Sequence, residues 1–168
     1  MIRLVLGGEK SGKSDMAYGL FQEAPGPGVI LAMGRARDEG FRRQILAHRQ
    51  ARDPALPVLE PGLELGAALE KASAKGLKVL VDSLDFWVFA CLEDGRDRSE
   101  ELARALEAFR GADAPHCLLV SCEVGLGPVA ATSLVRRFAR AQGALNQRLA
   151  ALADEVRLSV AGLPLRLK

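Results

Sequence analysis

The sequence predicts an α/β fold in which a mostly parallel sheet carries helices on both faces. Apolar strand-like runs alternate with helix-like runs almost throughout the 168 residues, and helices that cross over between strands give parallel neighbours. A glycine-rich loop joins the first predicted strand to the first predicted helix. Two short alternating runs, 156–160 and 163–167, predict a C-terminal antiparallel hairpin, and Pro164 confines its last strand to an edge of the sheet.

Each element is predicted from its own apolar pattern. The predicted strands are short apolar runs at 2–6, 29–33, 78–81 and 117–121, followed by the two hairpin runs. The predicted helices carry apolar residues three and four positions apart, and they cover 14–22, about 40–52, 63–72, 85–92, 99–109 and 132–154. Ser99 is expected to cap its helix. In the last helix, Leu134, Val135 and Leu145 are expected on the buried face.

Composition indicates an ordinary globular chain, and we expect residues 1–168 to form a single domain. Hydrophobic residues make up 49%, charged residues 26%, and the net charge is +2, so the composition does not indicate a nucleic-acid partner. The apolar runs are too short to span a bilayer, and the first strand leaves no room for a signal peptide. The three cysteines lack metal or C-x-x-C spacing, which favours reduced thiols in the cytoplasm.

The octet GGEKSGKS indicates the chemistry most clearly. It fits the pattern G-x-x-x-x-G-K-[ST] of a phosphate-binding P-loop, with a predicted strand before it and a helix after it. Such a loop turns its backbone N–H groups toward one anion, next to the positive end of a helix. The pattern predicts a P-loop NTPase (RecA-like) fold with phosphate bound by Gly7, Gly8, Glu9, Lys10, Ser11, Gly12, Lys13 and Ser14. A glycine turn without a ligand is the alternative.

Within this loop, two side chains have specific expected roles. Lys13 is expected to reach the β- and γ-phosphates of a nucleotide, and the Ser14 hydroxyl is expected to bind Mg²⁺.

Two carboxylates directly follow predicted strands, at the edge of a parallel sheet where ligands bind. Asp82 follows the run 78–81 and is expected to bind Mg²⁺ as a Walker B acid does; a helix cap or loop carboxylate is the alternative. Glu123 follows the run 117–121 and begins the segment EVGLG. Its glycines would let the backbone approach a ligand, although an ordinary strand-to-helix loop would look similar.

His48 stands in a segment rich in arginine. It shares a predicted helix face with Phe41 and Ile45, so a packed histidine is one interpretation. Neighbouring arginines, among them Arg49 and Arg52, can bind phosphate. A neutral imidazole beside a nucleotide could then attack the α-phosphate and form a phosphoramidate.

The ordered set of motifs resembles the bifunctional adenosylcobinamide kinase/adenosylcobinamide-phosphate guanylyltransferase family of cobalamin biosynthesis. The likeness covers nearly the whole chain. Its first part consists of the octet, the segment Ile45-x-x-His48-Arg49-x-x-Arg52, Glu60, and Val81-Asp82-Ser83-Leu84 leading to Trp87. Its last third consists of VSCEVGLGPV, RRF and LNQRLAALADEV.

The resemblance implies two reactions. ATP or GTP first phosphorylates the aminopropanol hydroxyl of adenosylcobinamide; GTP then loses pyrophosphate to a histidine that matches His48, and the GMP passes to the new phosphate. The matching catalytic residues are His48, Lys13 and Glu123, with Ser14 and Asp82 as Mg²⁺ ligands. Further implied nucleotide-binding residues are Met33, Gly34, Arg35, Arg49, Gln50, Ala51, Arg52, Glu60 and Asp82. The resemblance also implies that the chain assembles as a homotrimer in which neighbouring subunits help to form the site.

The sequence departs from the family pattern around the expected site. Cys122 replaces an Asn before Glu-Val-Gly, and Pro128 replaces an Ile in the same loop. Asp85 replaces a Thr, and Arg140 replaces an Asp. These departures motivate two alternatives: another P-loop small-molecule kinase without a covalent histidine, and a nucleotide-binding protein without guanylyl transfer.

Overall fold

The computed structural model describes residues 1–34, 56–127 and 132–168. Its strands are β1 (Ile2–Gly7), β2 (Gly28–Ala32), β3 (Val58–Leu59), β4 (Lys78–Asp82), β5 (Cys117–Cys122), β6 (Glu155–Val160) and β7 (Leu163–Arg166). They form a seven-stranded sheet in the order β3-β2-β4-β5-β1-β6-β7. The β6–β7 pair is antiparallel and the other pairs are parallel. The predicted sheet and its C-terminal hairpin are confirmed.

Helices cover both faces of this sheet, as predicted. They are α1 (Lys13–Glu23), α2 (Leu65–Ala74), α3 (Leu84–Asp94), α4 (Ser99–Leu106) and α5 (Ser133–Leu152), and a 3₁₀ turn covers Glu107–Phe109. Alternate residues of β1 point to opposite faces: Leu4 belongs to the core formed with α2 to α5, whereas Val5 packs with Phe21 and its neighbours on α1. None of the helices described is long and apolar enough to cross a bilayer.

The long helix α5 buries most of the predicted face but not its first turn. Leu134 and Val135 are 47% and 48% exposed, so their predicted burial is wrong, whereas Leu145 is buried as predicted. Gln142 and Asn146, which were not predicted to be buried, lie buried beside Leu145 and Leu149. Polar groups on β5 form hydrogen bonds with these two amide side chains. A search for apolar residues alone therefore could not identify them as buried.

The start of α4 and the presence of strand β3 differ from the sequence prediction. Ser99 does not cap α4; its backbone N–H donates to the Asp97 carboxylate at 2.9 Å, and Arg98 occupies the cap position. The hydrogen bonds from Ser99 lower the pKa of Asp97. Strand β3 was not predicted, because two residues carry no periodic pattern. The helix predicted near 40–52 lies outside the described residues.

Candidate active site

The strand order brings the predicted site residues to one edge of the sheet. Strand β5 lies between β1 and β4, so the loop after β1, Asp82 at the end of β4 and Glu123 after β5 are neighbours along the carboxyl edge. The backbone N–H of Glu123 donates to the carbonyl of Gly7 at 3.0 Å. Glu123 therefore begins directly beside the P-loop.

The P-loop is tightly curled around its glycines. A β-carbon on Gly7 would lie 2.3 Å from the Ser11 hydroxyl oxygen, so a larger residue there would force Ser11 to shift. Gly12 adopts φ +87° at the N-cap of α1, a left-handed conformation that suits glycine. The Ser11 N–H donates to the Gly8 carbonyl at 3.3 Å, and Lys13 Nζ donates to the same carbonyl at 3.1 Å. The lysine is thus held across the mouth of the loop.

Ser14 and Asp82, the two predicted Mg²⁺ ligands, are in direct contact. The Ser14 hydroxyl donates to Asp82 Oδ1 at 3.0 Å, although 68 residues separate them. One hydroxyl and one carboxylate suit Mg²⁺, which takes few protein oxygens and completes its shell with phosphate and water. Among the described residues, no group of three or more His, Cys, Asp or Glu side chains could hold a metal ion. The donor set therefore fits Mg²⁺ held together with a nucleotide.

A third carboxyl group, Asp85, lies near this pair in the first turn of α3. Burial raises the pKa of Asp85, and the charge of Asp82 acts in the same direction; a hydrogen bond from Ser83 and the charge of Lys13 oppose them. Asp85 Oδ1 is buried and has no hydrogen-bond partner in the part of the chain that the structure describes. Sequence reasoning did not select Asp85 as a site residue, although its position three residues after Asp82 was a usable signal.

The thiol of Cys122 belongs to the same electrostatic environment. Burial raises its pKa, the charges of Asp85, Glu9 and Glu123 add to this effect, and Lys13 opposes it. Lys13 thus acts as a cation on several acidic groups of this site.

A buried polar network supports the end of β5. The Ser121 hydroxyl donates to Asn146 Oδ1 at 2.5 Å, and Gln142 Nε2 donates to the Ser121 hydroxyl at 2.6 Å. Asn146 Nδ2 in turn donates to the Cys122 carbonyl at 3.0 Å. These bonds fix the backbone from which Glu123 follows. Sequence reasoning missed the network; two amides four residues apart on an otherwise apolar helix face were the available signal.

Three of the remaining predicted residues are described, and they follow strands β2 and β3. Met33 and Gly34 follow β2, and the Met33 N–H donates to the Asp82 carbonyl at 3.0 Å. Glu60 follows β3 and lines a cavity of about 390 Å³ with Glu64 and Leu77. Strands β2, β4 and β5 separate it from the strand of the P-loop, so the structure does not place Glu60 beside the P-loop. His48 and five other predicted residues lie outside the described residues: Arg35, Arg49, Gln50, Ala51 and Arg52.

The P-loop after β1, Asp82 at the end of β4 and the strand β5 between them give the protein the P-loop NTPase fold of the RecA-like class. Solved structures share this fold. A prototypical ATPase from the type III secretion system of pathogenic bacteria matches 98% of this chain with a TM-score of 0.62 and 12% identity. The P4 protein from bacteriophage phi6 in complex with ADP matches 97% with a TM-score of 0.54 and 17% identity. This chain spans 56% and 52% of those two chains, and the likeness shows the fold alone.

Sequence comparison then defines the family. The family model CobU, described as cobinamide kinase / cobinamide phosphate guanyltransferase, matches residues 3–167, and the chain belongs to this family. The bifunctional adenosylcobalamin biosynthesis protein CobP of Pseudomonas aeruginosa is 36% identical over 98% of this chain and 96% of its own length. The corresponding protein CobU of Salmonella typhimurium is 29% identical over the full length of both. The family predicted from the sequence is confirmed.

Proposed function

We propose that this chain phosphorylates adenosylcobinamide with ATP or GTP and then transfers GMP from GTP to the product, giving adenosylcobinamide-GDP. The main observation in support is the contact between Ser14 and Asp82 at 3.0 Å. It lies beside a P-loop in which Lys13 Nζ is held by the Gly8 carbonyl. This is the arrangement that a Mg²⁺–nucleoside triphosphate needs. Membership of a family described by both activities supports the same assignment.

In the kinase step, the hydroxyl oxygen of the aminopropanol arm attacks the γ-phosphorus. The new O–P bond forms as the bond from the γ-phosphorus to the bridging oxygen breaks, the nucleoside diphosphate leaves with the electron pair, and the hydroxyl proton passes to water. Lys13 offsets the charge on the phosphates. Mg²⁺, held by Ser14 and Asp82, would neutralise the β- and γ-oxygens.

In the guanylyl-transfer step, a nitrogen of His48 attacks the α-phosphorus of GTP. An N–P bond forms, the α–β phosphoanhydride bond breaks, pyrophosphate leaves and the imidazole loses its proton to water. A phosphate oxygen of the phosphorylated corrinoid then attacks the same phosphorus, the N–P bond breaks and the imidazole is reprotonated. The match of His48, Arg49 and Arg52 to the family pattern supports this route.

The direct test uses the wild-type chain with adenosylcobinamide, GTP and Mg²⁺. We expect mass spectrometry of the corrinoids to show the phosphate first and adenosylcobinamide-GDP afterwards. Products that stop at the phosphate would indicate a simple P-loop kinase. Nucleotide binding without any corrinoid turnover would indicate a nucleotide-binding protein that lacks the activity.

The variant Asp82→Asn tests the Mg²⁺ ligands. Because the amide loses the negative charge that attracts the cation, we expect the Mg²⁺ concentration for half-maximal kinase activity to rise about tenfold or more. A Mg²⁺ titration of the kinase reaction measures this concentration. The matched control is Asp94→Asn, at the C-terminal end of α3. An unchanged titration in Asp82→Asn would remove Asp82 from the metal site.

We also propose that the chain assembles as a homotrimer. Strand β7 is an edge strand, and large apolar side chains stay exposed along the hairpin: Leu163 at 70%, with Val160, Leu165 and Leu167 above half. An apolar edge of this kind favours cover by another chain. Light scattering of the purified protein is expected to give three times the chain mass of 18.0 kDa; the mass of a single chain would contradict the proposal.

The proposed compartment is the cytoplasm. Cys91, Cys117 and Cys122 are all free thiols, and burial raises the pKa of Cys91 to about 11, so this thiol stays protonated. Free thiols suit a reducing compartment, where nucleoside triphosphates are also available. Recovery of the activity outside the cytoplasmic fraction of the producing cell would contradict this assignment.

A further inference from the structure

The turn between β6 and β7 reaches back to the P-loop. The Ser159 hydroxyl donates to the Ser11 carbonyl at 2.7 Å, and the backbone N–H of Gly162 donates to the same oxygen at 2.9 Å. Ser159 is 1% exposed, so water has little access to this bond. A carbonyl oxygen has two lone pairs, and the hairpin provides a donor for each.

The backbones of the turn and the loop also lie in close contact. A β-carbon on Gly12 would lie 3.2 Å from the Cα atom of Gly162, a residue with φ +78°. At the start of the loop, Gly7 pairs with Ser159 in the parallel β1–β6 register. The hairpin therefore contacts the loop at its first glycine and again where helix α1 begins.

These contacts set the direction of one peptide group. The peptide between Ser11 and Gly12 is planar and trans, so its carbonyl and its N–H point in opposite directions. Because the hairpin holds the Ser11 carbonyl, the Gly12 N–H points away from the hairpin. In a P-loop, these backbone N–H groups are the donors that cradle the phosphates.

We propose that Ser159 and Gly162 are positioning residues of the phosphate site: the hairpin fixes the Ser11–Gly12 peptide so that its N–H faces the terminal phosphates of the nucleotide. The inference rests on the proposed function, in which the P-loop binds a nucleoside triphosphate. It gives the C-terminal hairpin a role in nucleotide affinity although the hairpin carries no P-loop residue.

The experiment compares the affinities of GTP and GMP by calorimetry, in wild type and in Ser159→Ala. We expect the variant to weaken GTP binding about 3- to 10-fold, the effect of one lost hydrogen bond, while the Kd of GMP, which lacks the terminal phosphates, stays unchanged. Ser159→Thr keeps the hydroxyl and should restore the ratio of the two affinities. Ser73→Ala is the matched control, because Ser73 makes a similar bond to the Ala108 carbonyl at 2.8 Å, away from the P-loop.

The ratio separates positioning from a general structural effect. Equal weakening of GTP and GMP in Ser159→Ala, or no change in either, would overturn the inference while leaving the proposed function standing. A wild type that binds GTP no better than GMP would instead contradict the proposed function, and the inference with it. If Ser159→Ala does not fold, Gly162→Ala is the second variant, because a β-carbon there meets no atom within 4 Å. Strain at the positive φ of this residue should lower the ratio of GTP to GMP affinity. An unchanged ratio would overturn the inference.

Discussion

Replacing Lys13 by alanine is expected to abolish both half-reactions. Lys13 Nζ lies 3.1 Å from the Gly8 carbonyl, and its charge acts on Asp85 and Cys122 within the site. Without that charge, the triphosphate would face the carboxylates of Asp82 and Asp85 without the lysine that is held beside them. Loss of a single preorganised donor that stabilises charge costs about 10²- to 10³-fold in rate. Because Lys13 would contact the triphosphate in the kinase step and in the guanylyl-transfer step, both rates should fall.

The measurement is the initial rate of formation of adenosylcobinamide phosphate and, with that phosphate supplied, of adenosylcobinamide-GDP. Lys75→Ala is the control, because Lys75 caps the far end of α2 and should leave both rates unchanged. Guanylyl transfer that persisted in Lys13→Ala would show that the transferred GTP binds somewhere other than the P-loop.

His48→Ala is expected to separate the two half-reactions. Alanine offers no nucleophile to the α-phosphorus, so guanylyl transfer should be abolished, whereas the kinase step, which uses no histidine, should keep its rate. Corrinoid products should then stop at the phosphate. The second histidine, His116, provides the control: it precedes β5, at the opposite edge of the sheet from the P-loop, and His116→Ala should still form adenosylcobinamide-GDP.

If His48→Ala still formed adenosylcobinamide-GDP at the wild-type rate, the covalent route would be wrong. GMP would then pass directly from GTP to the corrinoid phosphate.

The sequence predicted the parts of the fold that depend on local pattern. The strands from β1 to β7 follow runs of apolar residues, with the exception of β3. Val58 and Leu59 form a strand because they pair with Ile30 and Leu31 on β2, a long-range contact that no two-residue pattern encodes. The burial of Gln142 and Asn146 on α5 was missed for a related reason: these amides are buried because they form hydrogen bonds with Ser121 and the Cys122 carbonyl.

The candidate site shows the same division. The octet and Asp82 were predicted, since their chemistry depends on residue type at a fixed place in a strand–loop–helix unit, and the structure brings Ser14 and Asp82 together. Asp85 and Ser159 were missed. Both depend on contacts between distant parts of the chain. Asp85 interacts through charge with Lys13 and Asp82. Ser159 forms a hydrogen bond with the carbonyl of Ser11, 148 residues away along the chain.

Labelling with GTP that carries a radioactive α-phosphate would detect the guanylyl-histidine intermediate itself. Wild type, His48→Ala and His116→Ala would be incubated with this GTP and Mg²⁺ and then separated by denaturing electrophoresis. The covalent route predicts an acid-labile label on wild type and on His116→Ala, and none on His48→Ala. An unlabelled wild type that demonstrably binds GTP, or a label that persists in His48→Ala, would contradict it.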